Sequence, residues 1–61
     1  IAGPSGADRA RVLSSLAQVS HGRHRQSEAL DFIEQAIETA RQSGAYDLVS
    51  SFSDTRKAWA S

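Results

Sequence analysis

The sequence contains no cysteine, no net charge and no long apolar run. Without cysteine the chain forms neither disulfide bonds nor cysteine-ligated metal sites. No apolar run approaches the ~20 residues that a membrane-spanning helix needs, and no charged segment followed by an apolar one marks a signal peptide. We therefore expect a soluble, cytoplasmic protein with no membrane partner.

The charges are balanced, with seven basic residues against seven acidic ones. Proteins that bind nucleic acid are usually clearly basic, because phosphate contacts dominate their affinity. We therefore expect no nucleic-acid partner, and a helical DNA-binding domain is the third-ranked interpretation. Valine and isoleucine are few and do not alternate with polar residues, which excludes a β-sandwich or a barrel.

A chain of 61 residues is enough for one small domain, of marginal stability. We expect a flexible lead-in over 1–6, where Gly3-Pro4 and Ser5-Gly6 are breaker pairs, and a single three-helix domain over 7–61. The chain begins with isoleucine rather than methionine, which indicates a processed chain or a fragment of a larger protein.

The first helix is predicted to begin near Ala7 or Asp8, where an aspartate suits the positive end of the helix dipole. Its apolar residues recur at helical spacing and are expected to face the core: Val12, Leu13, Leu16 and Val19. The opposite face carries Arg11, Ser14, Ser15 and Gln18. A polar turn is expected over Ser20–Arg25, with Gly22 as the left-handed stop.

The second helix has Ser27 as its expected N-cap and Gly44 as its stop. One broad apolar stripe runs along it, formed by Ala29, Leu30, Ile33, Ala36, Ile37 and Ala40. The third helix is predicted from about Ala45 to Ala60, with Phe52 and Trp59 as its largest core residues. Short connections make consecutive helices antiparallel neighbours. The predicted fold is all-α: three antiparallel helices, arranged as a helical hairpin plus a third helix.

Two segments of the chain echo each other. The residues LSSLA at 13–17 and VSSFS at 49–53 are offset by 36 positions. Leu16-Ala17 form a large-small pair in the first helix, and Ala29 and Ala36 flank Ile33 in the second. In these features the chain resembles the tetratricopeptide-repeat family.

The resemblance has departures. Ser20 stands where that family has an aromatic residue, no proline follows the second helix, and Arg56 stands at the echoed aromatic position. Small residues also suit any closely packed helical hairpin, so a plain three-helix bundle remains the alternative fold.

Possible sites of chemistry are few. His21, His24 and Glu28 would share a face on a continuous helix, but Gly22 and the polar run predict a turn instead. The carboxylates of the second helix form an exposed acidic face without a cleft to desolvate one of them. We therefore expect no enzyme activity, no catalytic residue, no metal and no cofactor.

The resemblance implies that the first and third helices line a groove that binds a protein or peptide partner. Carried over by position, the partner-binding residues would be Arg11, Ser14, Gln18, Asp47, Ser50, Asp54 and Lys57. Trp59 joins them in the alternative interpretation, in which Phe52 and Trp59 form an exposed docking patch rather than part of the core. The leading interpretation is a non-catalytic protein-protein interaction module, a segment of a larger bacterial protein of regulatory type. The alternative is an autonomous three-helix domain that self-associates as a homodimer.

Overall fold

The computed structural model describes residues 6–60, and within this range it contains three α-helices and no strand. They are α1 (Gly6–Gly22), α2 (Gln26–Gln42) and α3 (Tyr46–Ala60). The links cover only 23–25 and 43–45, so consecutive helices are antiparallel neighbours. The predicted all-α, three-helix fold is confirmed. The expected lead-in at 1–5 and Ser61 lie outside the described residues, and Gly6 belongs to α1.

The stop of α1 lies two residues later than the sequence predicts. Gly22 is the last helical residue, and His24 has the left-handed backbone, with φ of 62°. The His24 amide donates to the His21 carbonyl at 3.0 Å, and the Arg25 amide donates to the Ser20 carbonyl at 2.9 Å. These two bonds form a Schellman motif. The prediction of Gly22 as the left-handed stop is therefore wrong.

The link from α2 to α3 uses the same pattern of bonds. Gly44 has φ of 79°, its amide donates to the Arg41 carbonyl at 3.1 Å, and the Ala45 amide donates to the Ala40 carbonyl at 2.9 Å. Here glycine occupies the left-handed position, as the sequence predicts. The Ser43 hydroxyl also donates to the Ala40 carbonyl, at 3.0 Å.

The start of α2 lacks the expected serine cap. The N-cap position is Arg25, whose side chain makes no capping hydrogen bond, and Ser27 already lies inside the helix. The Arg25 carbonyl accepts a bond from the Ala29 amide at 2.9 Å. The tight link after α1 therefore starts α2 before Ser27 is reached.

The core is centred on α2. Ile33 is the largest fully buried side chain, and Ala29, Ala36 and Ala40 are completely buried around it. Phe52 of α3 is also buried, as predicted, while Leu48, Val49 and Trp59 of α3 are partly buried against the same cluster.

The face that α1 buries is not the one that its apolar pattern predicts. Its buried residues are small: Ala10, Ser14, Ala17 and Ser20. The expected core residues Val12, Leu16 and Val19 are exposed, and only Leu13 is partly buried. Small side chains allow two helices to approach closely, so α1 packs on α2 through alanine and serine and leaves its larger residues outside.

The three helices form an open layer rather than a closed bundle. α2 packs along both neighbours, whereas α1 and α3 hardly touch each other. The 36-residue echo does not mark equivalent environments, because Ser14 is buried and Ser50 exposed, while Leu16 is exposed and Phe52 buried. The starts of α1 and α3 are 40 residues apart, against a repeat of about 34 in the tetratricopeptide family.

Candidate partner-binding surface

The most distinctive surface of the protein is an exposed apolar stripe on α1. Val12, Leu16 and Val19 are 60%, 44% and 53% exposed. Their spacing of four and then three residues places them on one face of the helix. We call these three residues the α1 stripe. Isolated exposed apolar residues are common, but a contiguous row is typical of a surface that meets a partner.

An arginine lies at each end of this row. Arg9 precedes Val12 by three residues and Arg23 follows Val19 by four, so the five positions continue a single helical seam. Arg23 is the first residue after α1, and its amide donates to the Val19 carbonyl at 3.1 Å and to the Ser20 carbonyl at 3.2 Å, so the hydrogen bonding of the helix extends to this position. We call Arg9 and Arg23 the end arginines.

The surroundings of the end arginines leave them accessible. Both are exposed, and neither forms an ion pair within residues 6–60. By contrast, Arg11 pairs with Asp8 at 3.8 Å and Arg25 pairs with Glu28 at 3.4 Å. Arg9 also borders a shallow cleft of about 380 Å³ beside the end of α2.

Charge is distributed unevenly over this electrically neutral chain. From Gly6 to Arg25 there are four arginines and one acidic residue, Asp8. α2 carries four acidic residues and only one basic residue, Arg41. The overall balance therefore conceals a basic segment over 6–25, formed by α1 and the link after it, and an acidic α2. The α1 stripe lies within the basic segment.

The sequence-predicted groove residues have mixed positions. Ser14 is only 8% exposed, because α1 turns it toward the interior, so the protein itself covers this side chain. Trp59 is partly buried. The others are exposed: Arg11, Gln18, Asp47, Ser50, Asp54 and Lys57. Because α1 and α3 hardly touch, the structure does not bring the two helices' sets together in a shared groove.

Trp59 instead joins the ends of α1 and α3. Its indole stacks on the His21 imidazole, with ring centroids 4.5 Å apart and planes inclined by 12°. The Gln26 side-chain amide donates to the Trp59 carbonyl. His21 therefore lies in the last turn of α1 and contacts an aromatic ring, rather than lying in the polar turn that the sequence predicts.

A second cleft, of about 290 Å³, lies between α2 and α3. Arg56 of α3 reaches across it and pairs with Glu34 of α2 at 2.8 Å, and Arg41 pairs with Glu38 at 3.4 Å. Both carboxylates are exposed and paired, Glu34 with α3 and Glu38 within α2, so the cleft contains ion pairs rather than a desolvated acid. Among residues 6–60 no group of three potential metal ligands comes together.

The apolar pattern of α1 predicts a buried face where the structure has the exposed α1 stripe. A signal was nevertheless present, since Ala10, Ser14 and Ala17 repeat at the same spacing as Val12, Leu16 and Val19. Two parallel rows on one helix, one small and one large, offered two faces for packing. Hydrophobicity alone favoured the larger row, but close approach to α2 favoured the smaller one.

No helix in the described part of the chain has the length and apolar character to cross a membrane. Comparison with family models, curated proteins and solved structures gives no match.

Proposed function

We propose that this chain is a non-catalytic protein-interaction module that binds an α-helix of a partner protein along the outer face of α1. The observation that carries this proposal is the inverted packing of α1, in which small residues such as Ala10, Ser14 and Ala17 are buried while the α1 stripe is exposed. Apolar side chains at i, i+4 and i+7 are the anchors by which one helix recognises another.

The open layer supports the same function. Within residues 6–60, α1 is an edge helix, since α2 packs on one of its sides and α3 scarcely reaches it. A helix laid along the α1 stripe would extend the layer by one member, as successive helices do in helical repeat arrays. The interaction requires no rearrangement of the core, because the stripe is already exposed.

The size of the stripe indicates a transient or composite interface. Three side chains over two turns span about 10 Å of helix. A stable interface between two proteins buries about 800 Å² on each side. The α1 stripe therefore provides the apolar centre of a contact whose affinity depends on the charged residues around it.

Photo-crosslinking tests this proposal. A photoreactive amino acid replaces Leu16 in one variant and Gln35, an exposed residue of α2, in the control. We expect position 16, but not position 35, to give an adduct that maps to one segment of one protein and disappears when Val12 and Val19 are changed to serine. Identical adducts from both positions, or none from position 16, would contradict the proposal.

A further inference from the structure

The end arginines indicate what kind of helix covers the α1 stripe. We infer that the partner is an amphipathic helix whose apolar seam ends in an acidic residue at both ends. This inference rests on the proposed function and specifies the chemistry of the partner at the same surface.

The spacing of charge and apolar residues carries this inference. Arg9, Val12, Leu16, Val19 and Arg23 follow the alternating three-four spacing along which paired helices meet. The seam is therefore apolar in the middle and positive at each end. A partner helix lying along it places its own end residues beside the two guanidinium groups. Glutamate or aspartate there forms exposed ion pairs, whereas lysine or arginine is repelled.

The two end arginines also disfavour a second copy of this chain as the occupant. In a parallel α1 pair, Arg9 faces Arg9 and Arg23 faces Arg23, while in an antiparallel pair Arg9 lies near Arg23 of the other copy. Either arrangement brings like charges together at both ends of a short seam. Asp8 is the one acidic residue of α1, and it pairs with Arg11 of its own chain at 3.8 Å.

An anionic membrane would also attract the end arginines, but the α1 stripe is not typical of a membrane-binding helix. Such helices present a broad apolar face with several large residues, whereas the α1 stripe is a single narrow row. The α1 stripe contains two valines and one leucine, and the adjoining small residues of α1 are buried against α2. The observations therefore favour an acidic helix over a lipid surface.

Three synthetic helical peptides test the inference. The first has leucines at the three seam positions and glutamate at both ends, the second has the same leucines with lysine at both ends, and the third has glutamate ends with serines in the seam. Binding is followed by amide chemical-shift changes in NMR spectra of the whole chain. We expect the first peptide to shift residues of α1 and to bind about tenfold more tightly than the second, and the third not to bind.

Charge variants of the protein provide the matched controls. Arg9→Gln with Arg23→Gln should abolish the preference for the glutamate peptide, and Arg9→Glu with Arg23→Glu should reverse it. Arg41→Gln with Arg56→Gln removes the same charge from α2 and α3 and should leave the preference unchanged. Circular dichroism verifies that each variant remains helical, and glutamine retains a high helix propensity.

The possible failures are distinguishable. Equal binding of the glutamate and lysine peptides to α1 would overturn the acidic-partner inference and leave the proposed function intact. The absence of shifts in α1 with every peptide at millimolar concentration would overturn both. A dimer in sedimentation equilibrium that dissociates on Leu16→Gln would make a second copy the occupant. Binding to phosphatidylserine vesicles that depends on the stripe, without binding of any peptide, would make the occupant a membrane. The dimer and the vesicle result would each overturn the inference.

Discussion

The His21 imidazole and the Trp59 indole stack with their centroids 4.5 Å apart, joining the last turn of α1 to the last turn of α3. These two helices hardly touch, and the stack is a direct contact between their ends. Trp59 also packs against the core, and its carbonyl accepts a hydrogen bond from Gln26. The residue therefore connects parts of all three helices.

The stack should appear as a measurable coupling between the two rings. In a double-mutant cycle of His21→Ala and Trp59→Leu, leucine retains apolar contact with the core and removes the stacked ring. We expect a coupling free energy of about 0.5–1 kcal/mol, as for other aromatic pairs. Urea unfolding followed by circular dichroism provides the four free energies. A coupling indistinguishable from zero would mean that the two rings do not stabilise each other.

The sequence predicted some elements of the fold well, for physical reasons that are local. Helix α2 has one broad apolar face and one acidic face, so the side that it buries follows directly from the periodicity of its apolar residues. The Gly44 stop was also predictable, because glycine adopts the left-handed conformation without strain. Both features depend on residues close together in the chain.

The parts that could not be predicted depend on contacts between helices. Whether α1 buries Ala17 or Leu16 is decided by how closely it approaches α2, a distance that no local pattern specifies. The position of Trp59 depends on His21, which lies 38 residues away in the chain. The end arginines acquire significance only once the stripe between them is known to be exposed.

Two glycines should respond to alanine in opposite directions. Gly22 has helical backbone and nothing within 4 Å of an added methyl group, so Gly22→Ala should raise the free energy of unfolding by about 0.5–1 kcal/mol. Gly44 has φ of 79°, so Gly44→Ala should lower it by about 1 kcal/mol. Chemical denaturation measures both changes. If Gly22 were the left-handed stop of α1, its alanine variant would instead be destabilised.

Substitution by glycine should stabilise the protein at His24 and destabilise it at the neighbouring Arg23. Its φ of 62° is strained for a residue with a side chain, so His24→Gly should raise the free energy of unfolding by about 0.5–1 kcal/mol. Arg23 does not have a positive φ, and Arg23→Gly should lower the free energy by up to ~1 kcal/mol. Thermal and urea unfolding test both variants. A loss of stability in both would show that the left-handed position lies elsewhere.

The α1 stripe should contribute little to folding. Leu16→Gln removes an exposed apolar side chain from a helix and replaces it with another good helix former, so the free energy of unfolding should change by less than about 0.5 kcal/mol. Changing Val12 and Val19 to glutamine as well should raise stability slightly, because β-branched residues are weaker helix formers. Urea unfolding compares these variants with the wild-type protein.

Ile33→Ala is the matched control for the stripe variants, since Ile33 is completely buried and its truncation should cost about 2–5 kcal/mol. If Leu16→Gln alone cost more than about 2 kcal/mol, Leu16 would be a core residue, as the sequence pattern suggests, and α1 would have no free apolar face to offer a partner. Unchanged stability when Val12 and Val19 are changed, together with loss of the crosslink from position 16, would separate the two roles. The apolar character of the stripe would then affect binding without affecting folding, which is the behaviour expected of a docking surface.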